Sequence, residues 1–314
     1  MKANWFKWSA CLLGMIAVFV IFIGTSSAQV VITRRGDASA GAISRVAISN
    51  AGSSRVVTSV RNGSGDLQVI AWDVTGGSLI VRRGDATAGA ISLVDSVSLG
   101  ASRIVTAVRD GSGNLKVIVW DVTAGGAVVR RGDATAGAIS LVAMASAGTG
   151  RVVTAVRDGS GNLKVIVWDV TGAGLVVRRG DASAGGISLV AMAAPSSGRV
   201  VTAVRDASGN LKVIAWSVTG AGLIVRQGDA SAGAVSLVAI ASMGANRVIT
   251  AVRDGSGNLK LIAWDISALG GVVRSGDASA GAISLVAITQ AGTNRVVTAV
   301  RDGSGNLKLI AWVI

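Results

Sequence analysis

The chain has 314 residues, with 30 Lys and Arg against 17 acidic residues, no His and a single Cys. Every acidic residue is Asp, and residues 29–314 also lack Cys, Tyr and Phe. This composition excludes a disulfide framework, a thiol nucleophile and an imidazole base from that stretch. Its net charge of +11, once Lys2 and Lys7 are set aside, favours anionic partners or surfaces.

Residues 1–28 differ in kind from the rest. Lys2 and Lys7 precede an apolar run from Cys11 to Gly24, and Ser26-Ser27-Ala28 offers small residues for cleavage before Gln29. This is the pattern of a signal peptide, and it predicts export with cleavage after Ala28. The apolar run is short for a membrane span. The exported part, residues 29–314, is expected to be secreted, periplasmic or at the cell surface, and is long enough for one domain with a sizeable core.

From Gln29 onward the sequence repeats. Trp72, Trp120, Trp168, Trp216, Trp264 and Trp312 stand 48 residues apart, each closing a copy of the same stretch. In the third copy this is Val152 to Val170, two β-branched apolar runs around Asp158-Gly159-Ser160-Gly161-Asn162, which reads as a tight hairpin. A three-residue hairpin loop places its last residue in the left-handed region. Gly65, Gly113, Gly161, Gly209, Gly257 and Gly305 hold that position, whereas Ala207 is accepted at the first. The resulting register sets Arg157 opposite Leu163 and Arg151 opposite Asp169.

Ahead of each hairpin, Arg-Arg-Gly-Asp and its variants begin at residues 34, 82, 130, 178, 226 and 274, followed by a small-residue stretch and an apolar run such as Ile139 to Ala145. The sequence predicts four strands per repeat: a (139–145), b (151–157), c (163–170) and d (174–178), with Arg-Arg-Gly-Asp as the turn from d to a. Strand c is apolar on both alternating faces: Leu163, Val165 and Val167 on one, Ile166 and Trp168 on the other. Both faces are therefore expected to be covered, as in radially packed blades. The last repeat stops after its strand c, while Val30–Thr33 is an orphan strand d, so pairing the two would close a ring. The expected fold is all-β: a six-bladed β-propeller of 48-residue, four-stranded blades, the last closed by the N-terminal strand.

Trp72-Asp73, Trp120-Asp121, Trp168-Asp169 and Trp264-Asp265, together with the turn Asp158 and the strand-b Thr154, resemble the WD-repeat family. The resemblance spans all six repeats. It implies a network joining a Gly-His pair, a strand-b Ser or Thr, the turn Asp and the Trp, although Gly132-Asp133 stands here where Gly-His would. It also implies a non-catalytic interaction platform.

Three short motifs also have plainer readings. Arg-Gly-Asp, beginning at Arg35, Arg83, Arg131 and Arg179, matches an adhesion tripeptide but also suits a turn. Asp158-x-Ser160-x-Asn162 resembles a calcium loop, yet lacks the later Gly and Glu and already serves as a hairpin. The six Trp residues could stack on sugars, but their apolar neighbours favour a core role.

Charge layout gives the candidate site. The end of the repeats holding the d–a and b–c connections collects +9 of the charge, and the other end +2. The predicted ligand-binding residues on the basic face are Arg82, Arg83, Arg109, Lys116, Arg130, Arg131, Arg157, Lys164, Arg178, Arg179, Arg205 and Lys212. A planar guanidinium suits carboxylate, sulfate or phosphate, and repetition would let weak sites act together. With every Asp but Asp95 assigned to a turn or ion pair, no catalysis, metal site or cofactor is expected. The leading expectation is a monomeric, secreted scaffold for protein or cell-envelope partners, with nucleic acid not expected. The alternative is a multivalent lectin for anionic carbohydrate.

Overall fold

The computed structural model describes residues 35–77 and 79–314. The leader and the strand expected at Val30–Thr33 lie outside the described residues. Among the latter there are 18 strands and no helix. The first repeat holds β1 (Ile43–Asn50), β2 (Arg55–Asn62), β3 (Asp66–Val74) and the start of β4 (Ile80–Ser98). Then come β5 (Arg103–Asp110), β6 (Asn114–Val122), β7 (Val128–Ser146), β8 (Arg151–Asp158), β9 (Asn162–Val170) and β10 (Val176–Ser196). The chain continues through β11 (Arg199–Asp206), β12 (Asn210–Val218), β13 (Ile224–Ser242), β14 (Arg247–Asp254), β15 (Asn258–Ile266), β16 (Val272–Gln290), β17 (Arg295–Asp302) and β18 (Leu307–Val313).

The hairpins form as their loops dictate. Gly161 has φ +84°, and its counterparts in the other five repeats lie between +84° and +89°. The Asp158 carboxylate ties the loop by accepting the Ser160 and Asn162 backbone N–H groups at 2.9 and 3.0 Å. Arg157 faces Leu163 and Arg151 faces Asp169, as the three-residue loop requires.

The strands expected as d and a are in fact one. β4, β7, β10, β13 and β16 each run unbroken for 19 to 21 residues. The first half of β7 pairs with β6, and its second half with β8. Arg-Arg-Gly-Asp is therefore not a turn. Trp120 faces Arg130 and Val119 faces Gly132, so Arg131 is the extra residue of a bulge. The bulge lets the strand bend without breaking, and a second shift between Ile139 and Leu141 marks its passage to the next hairpin.

The ladders follow chain order from β1 to β18, making one open succession among the described residues. Among the described residues, β1 and β18 share no ladder. Covering of both faces holds for the interior repeats. Leu163, Val165 and Val167 pack with Val200, Val204, Ile214 and Trp216 of the following repeat. Ile166 and Trp168 pack with Val105, Leu115, Val117 and Val119 of the preceding one. Trp120, Trp168, Trp216 and Trp264 are fully buried, and each apolar side chain so buried contributes about 1.5–3 kcal/mol. Their indole N–H groups donate to Thr106, Thr154, Thr202 and Thr250 Oγ1 at 2.9–3.0 Å, which satisfies the polar edge of each ring.

Candidate functional site

Three sets of basic side chains emerge, and the third flanks a cleft that recurs in successive repeats. At the end of the repeat carrying the Trp-Asp dipeptide, Asp121 lies between two guanidinium groups, Arg103 Nε and Arg131 Nε, each at 2.7 Å. Asp73 with Arg55 and Arg83, and Asp169 with Arg151 and Arg179, repeat the arrangement. The hydrogen bonds from Arg151 and Arg179 outweigh desolvation and hold the Asp169 carboxyl below the usual carboxylate range. Bulging thus turns Arg83, Arg131 and Arg179 to the end opposite their predicted basic face. Where Ser217 replaces this Asp, Gln227 replaces the matching Arg, and the two side chains bond at 2.8 Å. That paired substitution, ten residues apart in one repeat, is the sequence signal that could have revealed the contact.

A second set is structural. Arg109, Arg157 and Arg205 direct Nε to the carbonyls of Ile139, Ile187 and Val235 in the next repeat, each at 2.6 Å. Their Nη1 atoms reach Ser92, Ser140 and Ser188. These three predicted ligand residues join neighbouring repeats.

The third set flanks a cleft. Lys164 Nζ and Arg178 Nη2 converge on Asp181 Oδ2 at 3.0 and 2.8 Å. Arg130 and Lys116 hold Asp133 in the same way, at 2.7 and 2.9 Å, and Arg82 holds Asp85 at 2.7 Å. Burial raises the Asp133 pKa, but the Lys116 and Arg130 hydrogen bonds prevail and keep it lowered. Lys212 meets Asp229 at 3.1 Å. Beside Lys164 and Arg178 opens a cleft of about 220 Å³, where β7 leaves β6 for β8. Its floor is apolar (Ala136, Ala138, Ile139, Val156, Ile166), and its rim carries Asp158, Ser160, Lys164 and Arg178. Gly137 in the floor adjoins open space.

The same cleft recurs at about 190, 200 and 210 Å³ beside Lys212, Lys260 and Lys308. The second repeat supplies the same rim residues in Asp110, Ser112, Lys116 and Arg130, whereas the first substitutes Asn62 and Gln68. With Asp158 and Asp181 facing Lys164 and Arg178, the charges at each site balance.

The two other motifs resolve locally. The Asp158 loop resembling a calcium site directs a carboxylate oxygen to its own backbone. In Arg131-Gly132-Asp133, both charged residues are in ion pairs. One Asp stands apart: Asp95 accepts the Ser96 and Met144 backbone N–H groups at 2.8 and 2.7 Å, and burial pushes its pKa up to about 6.

No protein-family model and no curated relative matches the sequence. Solved structures do. The fold is similar to the SapL1 lectin in complex with α-methyl fucoside, at 15% identity and a TM-score of 0.56, over 86% of this chain and 94% of that one. It is similar to a mutant Aleuria aurantia lectin with α-methyl-L-fucoside, at 14% identity and a TM-score of 0.55, over 86% and 91%. The periplasmic gluconolactonase of Pseudomonas aeruginosa shows 13% identity and a TM-score of 0.53, over 86% and 85%. These likenesses support a repeat propeller and do not extend to WD-repeat identity. They also correct the expectation of a non-catalytic chain. An enzyme shares this fold, so lacking Cys, His and Glu does not decide the matter.

Proposed function

We propose that the chain is an exported, multivalent sugar-binding propeller of six four-stranded blades, residues 29–314, released from the leader at 1–28. The observation carrying this reading is the recurrence of one cleft, of roughly the bulk of a single hexose, at the same place in successive repeats. An apolar floor suits the C–H face of a pyranose. The rim Asp158, Ser160, Lys164 and Arg178 supplies acceptors and donors for its hydroxyls. The fucoside-bound lectins among the similar structures support the class of ligand.

The charge balance at each cleft changes the expected ligand from anionic to neutral. Arg82, Arg130, Arg178, Lys116, Lys164 and Lys212 act as hydroxyl donors already oriented by their Asp partners, not as free cations. Each site is weak alone, and several on one chain act together on a polyvalent glycan. A glycan array followed by calorimetry with monosaccharides, fucose included, tests this. Neutral-sugar binding that is unchanged between low and physiological salt is expected, weakened when Lys164, Lys212 and Lys260 are together changed to Met. Silence across the array, or binding that collapses with added salt, overturns the reading.

A further inference from the structure

The turns from β9 to β10, β12 to β13 and β15 to β16 sit at the Trp-Asp end, opposite the hairpin loops and their clefts. Their backbone is closely held. Thr171 N–H donates to the Leu175 carbonyl at 3.0 Å, and Leu175 N–H returns a bond to Thr171 Oγ1 at 3.1 Å. Thr219 and Leu223 repeat both bonds, at 2.9 and 3.1 Å. The preceding repeat grips each turn as well. Arg103 donates to the Thr171 and Gly172 carbonyls at 2.8 and 3.0 Å, and Arg151 to those of Thr219 and Gly220 at 2.7 and 3.1 Å. Arg199 reaches the Ala268 carbonyl at 2.7 Å. Gly174 and Gly222 rest on the stems of Arg131 and Arg179, where a Cβ would collide.

With the backbone so fixed, each turn offers a large apolar side chain outward. Leu175, Leu223 and Leu269 are 59%, 56% and 86% exposed. Val177 and Val225, two residues further on and so on the same side of the strand, are exposed too. After β15 the place of Leu175 is taken by Gly271, yet a leucine returns two residues earlier as Leu269.

Beside each of these leucines stands an arginine in excess of acid. Arg103 and Arg131 share Asp121, and Arg151 and Arg179 share Asp169, so each trio keeps one positive charge. Arg199, which holds the turn of Leu269, faces Ser217 instead of an Asp. The Arg131 and Arg179 side chains are nearly half exposed.

We propose that this end of the chain docks on an anionic lipid surface. Leu175, Leu223 and Leu269 enter the boundary between headgroups and acyl chains, and the surplus guanidinium groups meet lipid phosphates. The leucines stand one to a turn, with charged groups between them. A protein partner wants a contiguous apolar centre to its interface, whereas lipid closes around separate protrusions. Turns already rigid lose little freedom on docking. The planar fork of Arg suits phosphate, and each cation near an anionic leaflet adds to the attraction. The proposal goes beyond the sugar-binding reading and uses the opposite end of the repeats, so vesicles without sugar test it alone.

The test uses the full chain carrying Cys11→Ser, with an environment-sensitive dye on Ala173→Cys or on Ser160→Cys. Both positions are exposed, the first at the turn before Leu175 and the second at the hairpin loop. With phosphatidylglycerol vesicles holding a lipid-borne quencher, the dye at 173 should be quenched and the dye at 160 should not. Attachment through the leader alone would favour neither position, and equal quenching or none at 173 overturns the proposal. Changing Leu175, Leu223 and Leu269 together to Ser should weaken the quenching at 173 by at least about tenfold, with the melting curve unchanged. Undiminished quenching in that variant overturns the proposal, as does equal binding to phosphatidylcholine vesicles. Light scattering without lipid covers the remaining occupant: a dimer that the leucine variant abolishes would put a second copy on this surface instead.

Discussion

The fifth and sixth repeats differ little in sequence around strand c, NLKLIAWDI against NLKLIAWVI, and yet their side chains meet opposite conditions. Leu259 is fully buried and Leu307 is 77% exposed. Trp264 is fully buried, whereas Trp312 is only partly so. Nothing local distinguishes them, since both hairpins carry the same loop with the same left-handed glycine. The difference lies in what stands next door. In this fold a repeat does not own its core, because half of each hydrophobic layer belongs to the following repeat.

Substitution at the two leucines tests that contrast with the largest expected effect. Leu259→Ala should cost about 2–5 kcal/mol, the range for an aliphatic side chain removed from a packed core. If the six blades close into a ring, Leu307→Ala should cost nearly as much in denaturant melts. A loss below about 0.5 kcal/mol, the surface range, would keep the sixth repeat an open edge.

The tryptophan bonds come next. Thr154→Val leaves the buried Trp168 Nε1 without its acceptor, at a cost of about 1–3 kcal/mol. Thr298→Val removes the same bond from Trp312, and because Thr298 is as fully buried as Thr154 a comparable cost is expected there. Thermal melts of the two variants compare them directly.

Asp95 sharpens the comparison in a different way, because all five other repeats have Ala at its position (Ala47, Ala143, Ala191, Ala239 and Ala287). Its folded pKa, raised to about 6 mainly by desolvation, exceeds the unfolded value of about 3.9. The folded state therefore binds more protons between those values, and the contribution to stability falls as pH rises from about 4 to about 6. Asp95→Ala should abolish that decline and stabilise the chain by about 1–2 kcal/mol at pH 7.5, the figure being reduced from the full shift for partial solvent access. Equal melting curves for variant and parent across pH 4–8 would refute the assignment. The paired carboxylates act oppositely. Asp73, Asp121 and Asp169 have lowered pKa values, so their contribution is lost as pH falls below about 4.

The smallest effect should be indifferent to position. Gly161→Ala forces a Cβ into the left-handed region and to 2.9 Å from the Arg157 guanidinium, at a cost of about 1 kcal/mol. Gly305→Ala should cost the same, since the strain lies within the hairpin. Gly159→Ala should be close to silent, as Ala207 occupies that position in the fourth repeat. A position-dependent loss between Gly161 and Gly305 would mean that the loop senses its neighbours.

Local rules were enough to place the hairpins. The loop glycine, the Asp158 cap, the Arg151–Asp169 pairing and the two-sided apolar pattern of strand c follow from residue chemistry within about twenty positions. The same rules misjudged Arg-Arg-Gly-Asp. Glycine beside charged residues reads as a turn, yet an extra residue can also be absorbed as a bulge when partners on both sides hold the strand extended. Whether those partners exist is not written near Arg131. The site was legible only in part: Lys116, Lys164 and Lys212, with Arg130 and Arg178, belong to the repeated cleft surroundings. Arg109, Arg157 and Arg205 serve the joints between repeats, because their acceptors lie 30 residues away in the next unit.

The sequence by itself determined a repeating all-β chain, its 48-residue unit, its hairpin geometry and its excess of positive charge. These depend on the intrinsic preferences of residues and on their order. Only the tertiary structure decided where the charges point, which cations are neutralised, and that a cleft opens where β7, β10, β13 and β16 pass between hairpins. Those outcomes arise from contacts between repeats, and near-identical repeats carry no local mark that tells an interior unit from an end.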